Sequence, residues 1–334
     1  MSHQVTIQPS GHQFTVQDGE TVLEAALRQD FALPYGCRNG ACGACKGKVL
    51  AGEVDHGAHQ PATLPKEDKA KGLALFCTAK PKTDLVIEAQ EIGAAKDIPV
   101  KTLPCRVEKM EKLAADVMAV WLKLPSSERL QFLPGQYIDF LLKDGKRRSF
   151  SLANAPEEDQ LLELHIRHVP GGLFTDQVFG AMKAKDIMRI KGPQGSFFLR
   201  ESDKPILFLA GGTGFAPIKS ILSHVFHHGT ERQMVLYWGA KTLADLYQPA
   251  LPSQWQQEHD NFSFIPVLSE PLPADHWPGR TGLVHQAILD DFADLSGWQV
   301  YACGAPPMIE AAKHDFLARG LPEDEFFSDA FSFQ

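Results

Sequence analysis

Three cysteines, Cys37, Cys42 and Cys45, stand in a C-x4-C-x2-C spacing, and a fourth, Cys77, follows after 31 intervening residues. Two bridged irons need four thiolates, and this spacing is one that holds a [2Fe-2S] cluster. Drawing three ligands from one tight loop requires small neighbours. Backbone N–H groups can then approach the sulfurs and stabilise the reduced, more negative cluster. Gly36, Gly40, Ala41, Gly43 and Ala44 meet that need. A four-cysteine zinc site is the alternative, but zinc favours two close pairs, and Cys77 has no near partner in sequence. Cys105, in an expected strand, reads as a small buried hydrophobe.

A second constellation is Arg147-Arg148-Ser149-Phe150-Ser151. An arginine fork can hold a pyrophosphate. Phe150, two positions after Arg148, shares its strand face and can lie against an aromatic ring system. The Ser151 hydroxyl can reach a ring nitrogen. Alone, the segment also reads as a basic strand edge with one core phenylalanine. In 161–168, alternation points Leu162, Leu164 and Ile166 toward a core and Glu163, His165 and Arg167 outward. Gly171-Gly172-Leu173-Phe174-Thr175 then opens a helix, where free N–H groups and the helix dipole suit phosphate oxygens.

A third constellation begins with the apolar run 205–210, read as a buried strand, and continues through Gly211-Gly212-Thr213-Gly214-Phe215-Ala216-Pro217 into an amphipathic pattern. Strand, glycine turn and helix start make a dinucleotide pyrophosphate site, although the turn is not the G-x-G-x-x-G fingerprint. Near the end, Cys303-Gly304-Ala305-Pro306-Pro307-Met308 closes the last expected strand of the sheet, and Ser328-Asp329-Ala330-Phe331 follows. Cys303 by itself also reads as a packing cysteine. After the strand at 233–238, the segment 239–247 carries Lys241 and Asp245 but no Arg–Ser cluster for a 2′-phosphate, which points to NADH over NADPH.

RSFS, the GG-x-x-[ST] turn and the G-G-T-G-x-[AT]-P turn together resemble the ferredoxin–NADP reductase superfamily. The resemblance implies that Arg148, Phe150 and Ser151 contact the flavin of FAD and its phosphates, with Ser149, His165 and Arg167 in the same site. It implies that Gly171, Gly172, Leu173 and Thr175 hold the pyrophosphate, and that Phe150 replaces the family's usual tyrosine, keeping the stacking surface without the hydroxyl. Gly211, Gly212, Thr213, Gly214 and Pro217 are then the nicotinamide dinucleotide turn. Cys303, Gly304, Pro306 and Met308 lie beside the nicotinamide. Phe331 covers the flavin face until nicotinamide displaces it, and Asp329 assists flavin protonation, so that Ser151, Cys303, Asp329 and Phe331 form the catalytic set. The module order resembles the reductase components of bacterial oxygenases, and the chain as a whole resembles reductases of deoxysugar biosynthesis. The partner implied is an electron-accepting protein, a dehydratase or an oxygenase component. A nicotinamide gives two electrons together and the cluster takes one at a time, so a flavin must mediate. A redox-sensing module without turnover is the reading from another class.

These residues need three kinds of scaffold. Residues 5–7 and 14–16 alternate about a turn at 10–12, Thr21 and Glu24 make a capping box for a helix, and strands near 47–50 and 85–89 close a small mixed sheet. Strands at 105–110, 117–124, 137–142, 147–152, 161–168 and 187–191, with a helix at 174–183, predict a small barrel. Strands at 205–210, 233–238, 262–267 and 298–302, alternating with helices at 216–227, 283–292 and 306–319, predict a parallel doubly wound sheet. The expected fold is multidomain: an α+β ferredoxin (β-grasp) domain at 1–93, a linker at 94–102, an antiparallel β-barrel FAD domain at 103–201 and an α/β nicotinamide-binding domain at 202–334.

The chain of 334 residues carries a formal net charge of −8 and no basic stripe, which argues against nucleic acid as a partner. No apolar run approaches the roughly 18 residues of a membrane span, and the first residues lack the pattern of a signal peptide, so the expected location is cytoplasmic. His224, His227 and His228 share a helix. Their spacing suits a metal, but the carboxylate near them in sequence, Glu231, falls past the expected helix end, so they read as a solvated or partly buried face. His56 and His59 read as loop residues.

Overall fold

The structure, a computed structural model, describes residues 2–29, 31–89, 91 and 98–331. It divides into two compact units, one formed by Met1–Pro99, Gly195–Phe197 and Asp329–Gln334, the other by Val100–Gln194 and Phe198–Ser328. The first four residues of the expected linker, 94–97, lie outside the described residues. Its last two residues, Lys101 and Thr102, are already strand.

The first unit contains β1 (His3–Gln8), β2 (Gln13–Val16), α1 (Val22–Arg28), β3 (Lys46–Ala51), β4 (Val54–Asp55), α2 (Lys66–Ala70), β5 (Leu73–Leu75), β6 (Lys80–Pro81) and β7 (Leu85–Glu88). The main sheet runs β2-β1-β7-β3-β5 and is mixed, with β1 parallel to β7 and the other pairs antiparallel. The expected capping box starts α1: the Glu24 backbone N–H donates to Thr21 Oγ1 at 3.2 Å, and the Thr21 N–H donates to Glu24 Oε2 at 3.0 Å. Val22, Leu23, Ala25 and Ala26 are buried on α1, and the core they join includes Val5, Ile7, Phe14, Phe76 and Ile87.

In the second unit the first layer is β8 (Lys101–Ala114), β9 (Val117–Lys123), β10 (Tyr137–Leu141), β11 (Arg147–Ser151), β12 (Leu162–Arg167), α3 (Leu173–Phe179) and β13 (Ile187–Gln194). The strand order is β11-β10-β13-β8-β9-β12. A bridge between Leu152, just past β11, and Leu164 of β12 joins the two ends, so the sheet closes into the expected barrel.

The second layer is β14 (Ile206–Gly211), α4 (Phe215–His228), β15 (Met234–Ala240), α5 (Ala250–Glu258), β16 (Phe262–Leu268), β17 (Arg280–Thr281), α6 (Val284–Asp291), β18 (Gln299–Gly304), α7 (Pro306–Ala318) and β19 (Phe326–Ala330), whose last two residues belong to the first unit. Its order is β17-β16-β15-β14-β18-β19, with parallel pairing from β17 through β18. The helices α5, α2 and the short strands β4, β6, β17 and β19 carry too little periodicity to be expected from sequence.

The strand β12 departs from the sequence expectation. Its inward residues are as expected, but Glu163 and His165 are buried rather than solvated. The two-residue alternation holds; what sequence periodicity cannot reveal is that the barrel's outer face is covered by α4.

Candidate functional site

The four cluster cysteines come together as two touching pairs, Cys37 with Cys42 and Cys45 with Cys77. All four are free thiols. Backbone N–H groups of Ala41 and Cys42 donate to Cys37 Sγ at 3.4 and 3.3 Å, and the Cys37 N–H donates to Cys42 Sγ at 3.3 Å. The Cys42 thiol beside it lowers Cys37 most. Burial opposes this, and N–H groups of Asn39, Ala41 and Cys42 add to the lowering, for a value of about 6. Free thiols, two pairs and inward-pointing N–H donors fit an iron–sulfur cluster. Gly36 sits in tight space: a Cβ there would stand 3.2 Å from Cys42 Sγ and 3.4 Å from Asp329 Oδ1.

That second contact places Asp329 in the first unit, against the cluster loop. Burial first, and then the negative charge of Cys37, push its carboxyl up to about 7. The expectation that Asp329 serves flavin protonation rests on resemblance alone, whereas the neighbour observed is the cysteine loop. Phe331 belongs to the same unit and is half-buried.

On β11, Arg148 and Phe150 share a half-buried face, as the alternation predicts, and Ser151 is buried. Phe150 packs on Phe140 and Phe174, with ring centroids 5.9 and 5.4 Å away. The Ser149 hydroxyl donates to Asp139 Oδ1 at 2.6 Å, which fixes the strand edge. At the second glycine turn, the Thr175 hydroxyl donates to the Val169 carbonyl at 2.9 Å and receives the Val169 N–H at 3.2 Å. Thr175 thus shapes the loop, and a Cβ at Gly172 would press on that hydroxyl at 2.7 Å. Leu173 is exposed. The Arg167 guanidinium donates to Asp116 at 2.6 Å and stands beside Gly212, where a Cβ would be 3.3 Å from Nη2.

The Gly211–Pro217 turn and the Cys303–Met308 loop meet backbone to backbone. A Cβ on Gly214 would collide with the Cys303 carbonyl, and one on Gly211 would reach Met308 Sδ at 2.7 Å. Gly304 has φ +155 and lies against Gly211, so side chains are excluded from both sides of the contact. Thr213 is buried in the 3-10 turn at Gly212–Gly214, and the Trp238 indole N–H donates to the Gly212 carbonyl at 3.0 Å. Pro217 lies in the first turn of α4 and Pro306 opens α7. Cys303 is fully buried at the end of β18, opposite Ala210.

One buried polar cluster, of which His165 alone is among the expected site residues, escaped the sequence reading. The Tyr247 hydroxyl donates to His165 Nδ1 at 3.0 Å, and His165 Nε2 donates to Glu163 Oε1 at 2.8 Å. The Lys219 ammonium donates to Glu163 Oε2 at 2.8 Å and to the Ala153 carbonyl at 3.1 Å. Burial pushes the Glu163 carboxyl up, but the His165 bond and the Lys219 charge outweigh it and bring it to about 2. Burial holds His165 below its ordinary value, so its ring is neutral with both nitrogens engaged. These residues join β12 to α4 directly behind the glycine turn. One signal for them existed: Lys219 and Ser220 interrupt the apolar pattern of Pro217, Ile218, Ile221 and Leu222.

A four-thiolate site carried in one chain with such a barrel and parallel sheet defines an electron-transfer oxidoreductase. Family comparisons agree region by region. The 2Fe-2S iron-sulfur cluster binding domain family matches residues 5–82, the oxidoreductase FAD-binding domain family 104–199, and the oxidoreductase NAD-binding domain family 208–314. The chain is 42% identical over 331 residues to the CDP-6-deoxy-L-threo-D-glycero-4-hexulose-3-dehydrase reductase of Yersinia pestis, covering 99% of each. It is 36% identical over 337 residues to the phenol hydroxylase P5 protein of Acinetobacter pittii, covering 99% of this chain and 95% of that one. Among solved structures it is similar to the Amycolatopsis cytochrome P450 reductase GcoB, with TM-score 0.79 and 35% identity over 98% of both chains. The chain therefore belongs to the family of NAD(P)H-dependent iron–sulfur flavoprotein reductases, which move electrons from nicotinamide through FAD and a [2Fe-2S] cluster to a partner protein. Among the described residues, no helix is long and apolar enough to cross a membrane.

Proposed function

We propose that this chain draws electrons from NADH and delivers them to a cytoplasmic dehydratase acting on a nucleotide-linked hexulose. The observation that carries the electron path is the pairing of four free thiols under inward-pointing N–H donors, in one chain with the backbone contact of Gly211 and Gly214 on Cys303 and Gly304. When bound, FAD and the cluster supply two-electron acceptance and one-electron delivery. The residues of the chain then have these tasks. Cys37, Cys42, Cys45 and Cys77 ligate the irons. Arg148 and Phe150 present a charge and a ring from one strand face, while Ser149, Ser151, Gly171, Gly172, Leu173 and Thr175 shape the FAD strand and loop. Gly211, Gly212, Thr213 and Gly214 leave room for a pyrophosphate, with Cys303, Gly304, Pro306 and Met308 closing the nicotinamide side. Functional boundaries near 93, 102 and 201 follow this division of labour.

Support for NADH comes from the segment after β15. Lys241 there is exposed and pairs with Glu270 at 3.6 Å, and Asp245 is taken up by the backbone N–H and hydroxyl of Thr242, each at 2.9 Å. A 2′-phosphate finds no arginine between 239 and 247. NADH should show the higher kcat/KM; a higher value for NADPH overturns this part. Support for the dehydratase is the higher identity to the Yersinia reductase than to the phenol hydroxylase component over a similar span. Cys42→Ser should abolish NADH-driven reduction of cytochrome c while flavin bleaching by NADH continues. Unchanged cytochrome c reduction would take the cluster off the path. In reconstitution, the Yersinia dehydrase should accept electrons and a phenol hydroxylase oxygenase component should not; the opposite result assigns an oxygenase partner.

A further inference from the structure

Helix α4 ends in His224, His227 and His228, and the structure supplies the carboxylate that sequence proximity did not. Glu157, in the 3-10 turn Pro156–Glu158 that follows β11, lies against the helix end. Its Oε1 is 2.8 Å from His224 Nδ1 and 2.9 Å from His228 Nε2. The two histidines are one helical turn apart and so share a face, with ring centroids 4.5 Å apart. The three candidate ligand atoms lie within 4.8 Å of one another.

Two further observations separate this group from an ordinary hydrogen-bonded surface. Glu157 Oε2 is buried and has no hydrogen-bond partner among the described residues, although a buried carboxylate oxygen is normally satisfied. The turn that carries the carboxylate is also held in place from behind. The Asn154 side chain donates to the Ala155 and Glu158 carbonyls at 3.1 and 3.0 Å, and the Ser220 hydroxyl on α4 donates to the Asn154 carbonyl at 2.6 Å. The turn is thereby pinned to the same helix that carries the histidines.

We propose that Glu157, His224 and His228 form a binding site for a divalent transition metal of the zinc class, bridging the β11–β12 turn to the C-terminal end of α4. Two imidazoles and one carboxylate are a zinc ligand set that leaves a fourth position for water. Tetrahedral zinc with bonds of about 2.0–2.1 Å separates its ligand atoms by about 3.3 Å, so the two histidine contacts to Glu157 Oε1, at 2.8 and 2.9 Å, need to open by only a few tenths of an ångström. The metal takes the place of the two imidazole protons that now point at Oε1. The exposed ring of His228 gives it a path from solvent. His227 stands outside the group; its ring meets His228 edge-on at 5.1 Å.

The test is a calorimetric titration of the FAD- and cluster-loaded protein with zinc chloride, with zinc and iron measured after desalting. One added zinc per chain at constant iron is expected, together with a rise in the thermal transition followed by tryptophan fluorescence. Glu157→Gln and the double variant His224→Ala/His228→Ala should each weaken binding at least tenfold, and His227→Ala should leave it unchanged. No saturable binding overturns the proposal. So does iron loss matching zinc uptake, which would put the zinc on the cysteines. Equal binding by Glu157→Gln and the wild type would remove the carboxylate and with it the bridge.

Discussion

In the Cys37–Cys45 loop, the groups that do chemistry are side chains drawn from one short segment, and backbone N–H groups of the same segment orient them. Around Gly211–Pro217 the arrangement is reversed. The working surface is backbone, cleared of side chains at Gly211, Gly214 and Gly304, and it is held by partners far away in sequence. Lys219 reaches Glu163 across 56 residues and His165 reaches Tyr247 across 82. A cluster needs ligands of fixed type, so local spacing suffices. A dinucleotide needs an open surface at a fixed distance from a flavin, so the packing behind that surface matters more than any one side chain.

The comparison breaks most visibly at Gly214. Gly214→Ala drives a methyl group into the Cys303 backbone, where no flexible side chain can yield. The expected loss is roughly 4–5 kcal/mol, above the usual ~1–3 kcal/mol for overpacking. All five tryptophans lie at or beyond Trp121, so tryptophan fluorescence during denaturant unfolding follows the second unit. An unchanged midpoint would mean that the two loops do not bear on each other as described.

Lys219→Met is the next largest. It leaves Glu163 buried without its cation, at a cost of about 3 kcal/mol at neutral pH. It also changes the acid limb. The Glu163 carboxyl is held at about 2 in the folded chain, against an ordinary 4.5. Its stabilisation is therefore fully present above about pH 4.5 and is lost as pH falls toward 2. In Lys219→Met that acid-dependent loss should shrink, seen as a flatter stability profile between pH 5 and the acid transition. An identical profile would show that the ion pair does not set the carboxyl's titration.

Thr21→Ala sharpens the comparison from the other side. It removes a capping contact formed within four residues, and the expected cost is about 1 kcal/mol. Thermal loss of the cluster's visible absorbance is the readout, because α1 packs in the unit that carries the cysteines. A loss as large as that from Lys219→Met would mean that local devices and long-range ones are not so different here.

This contrast also explains what the sequence reveals. The cysteine spacing, the capping box, the strand face shared by Arg148 and Phe150, and the glycine turn are all local, and each is found where its spacing placed it. The alternation along β12 is legible too, but its outward Glu163 and His165 meet Lys219 of α4 and Tyr247 instead of water, because coverage by another layer leaves no period in the strand itself. Glu157 illustrates the same limit, since it approaches His224 from 67 residues away. Asp329 and Phe331 lie at the far end of the chain yet group with the first unit, which no contiguous reading of domains anticipates.

The measurement that tests the central claim most directly is an anaerobic titration of the purified holoprotein with NADH, followed by absorbance and electron paramagnetic resonance. Bleaching of the flavin together with a reduced [2Fe-2S] signal, both reaching completion within the same titration, is the predicted result. Full flavin bleaching with an intact cluster that stays oxidised would contradict the path from nicotinamide to iron and leave the chain a flavin reductase alone.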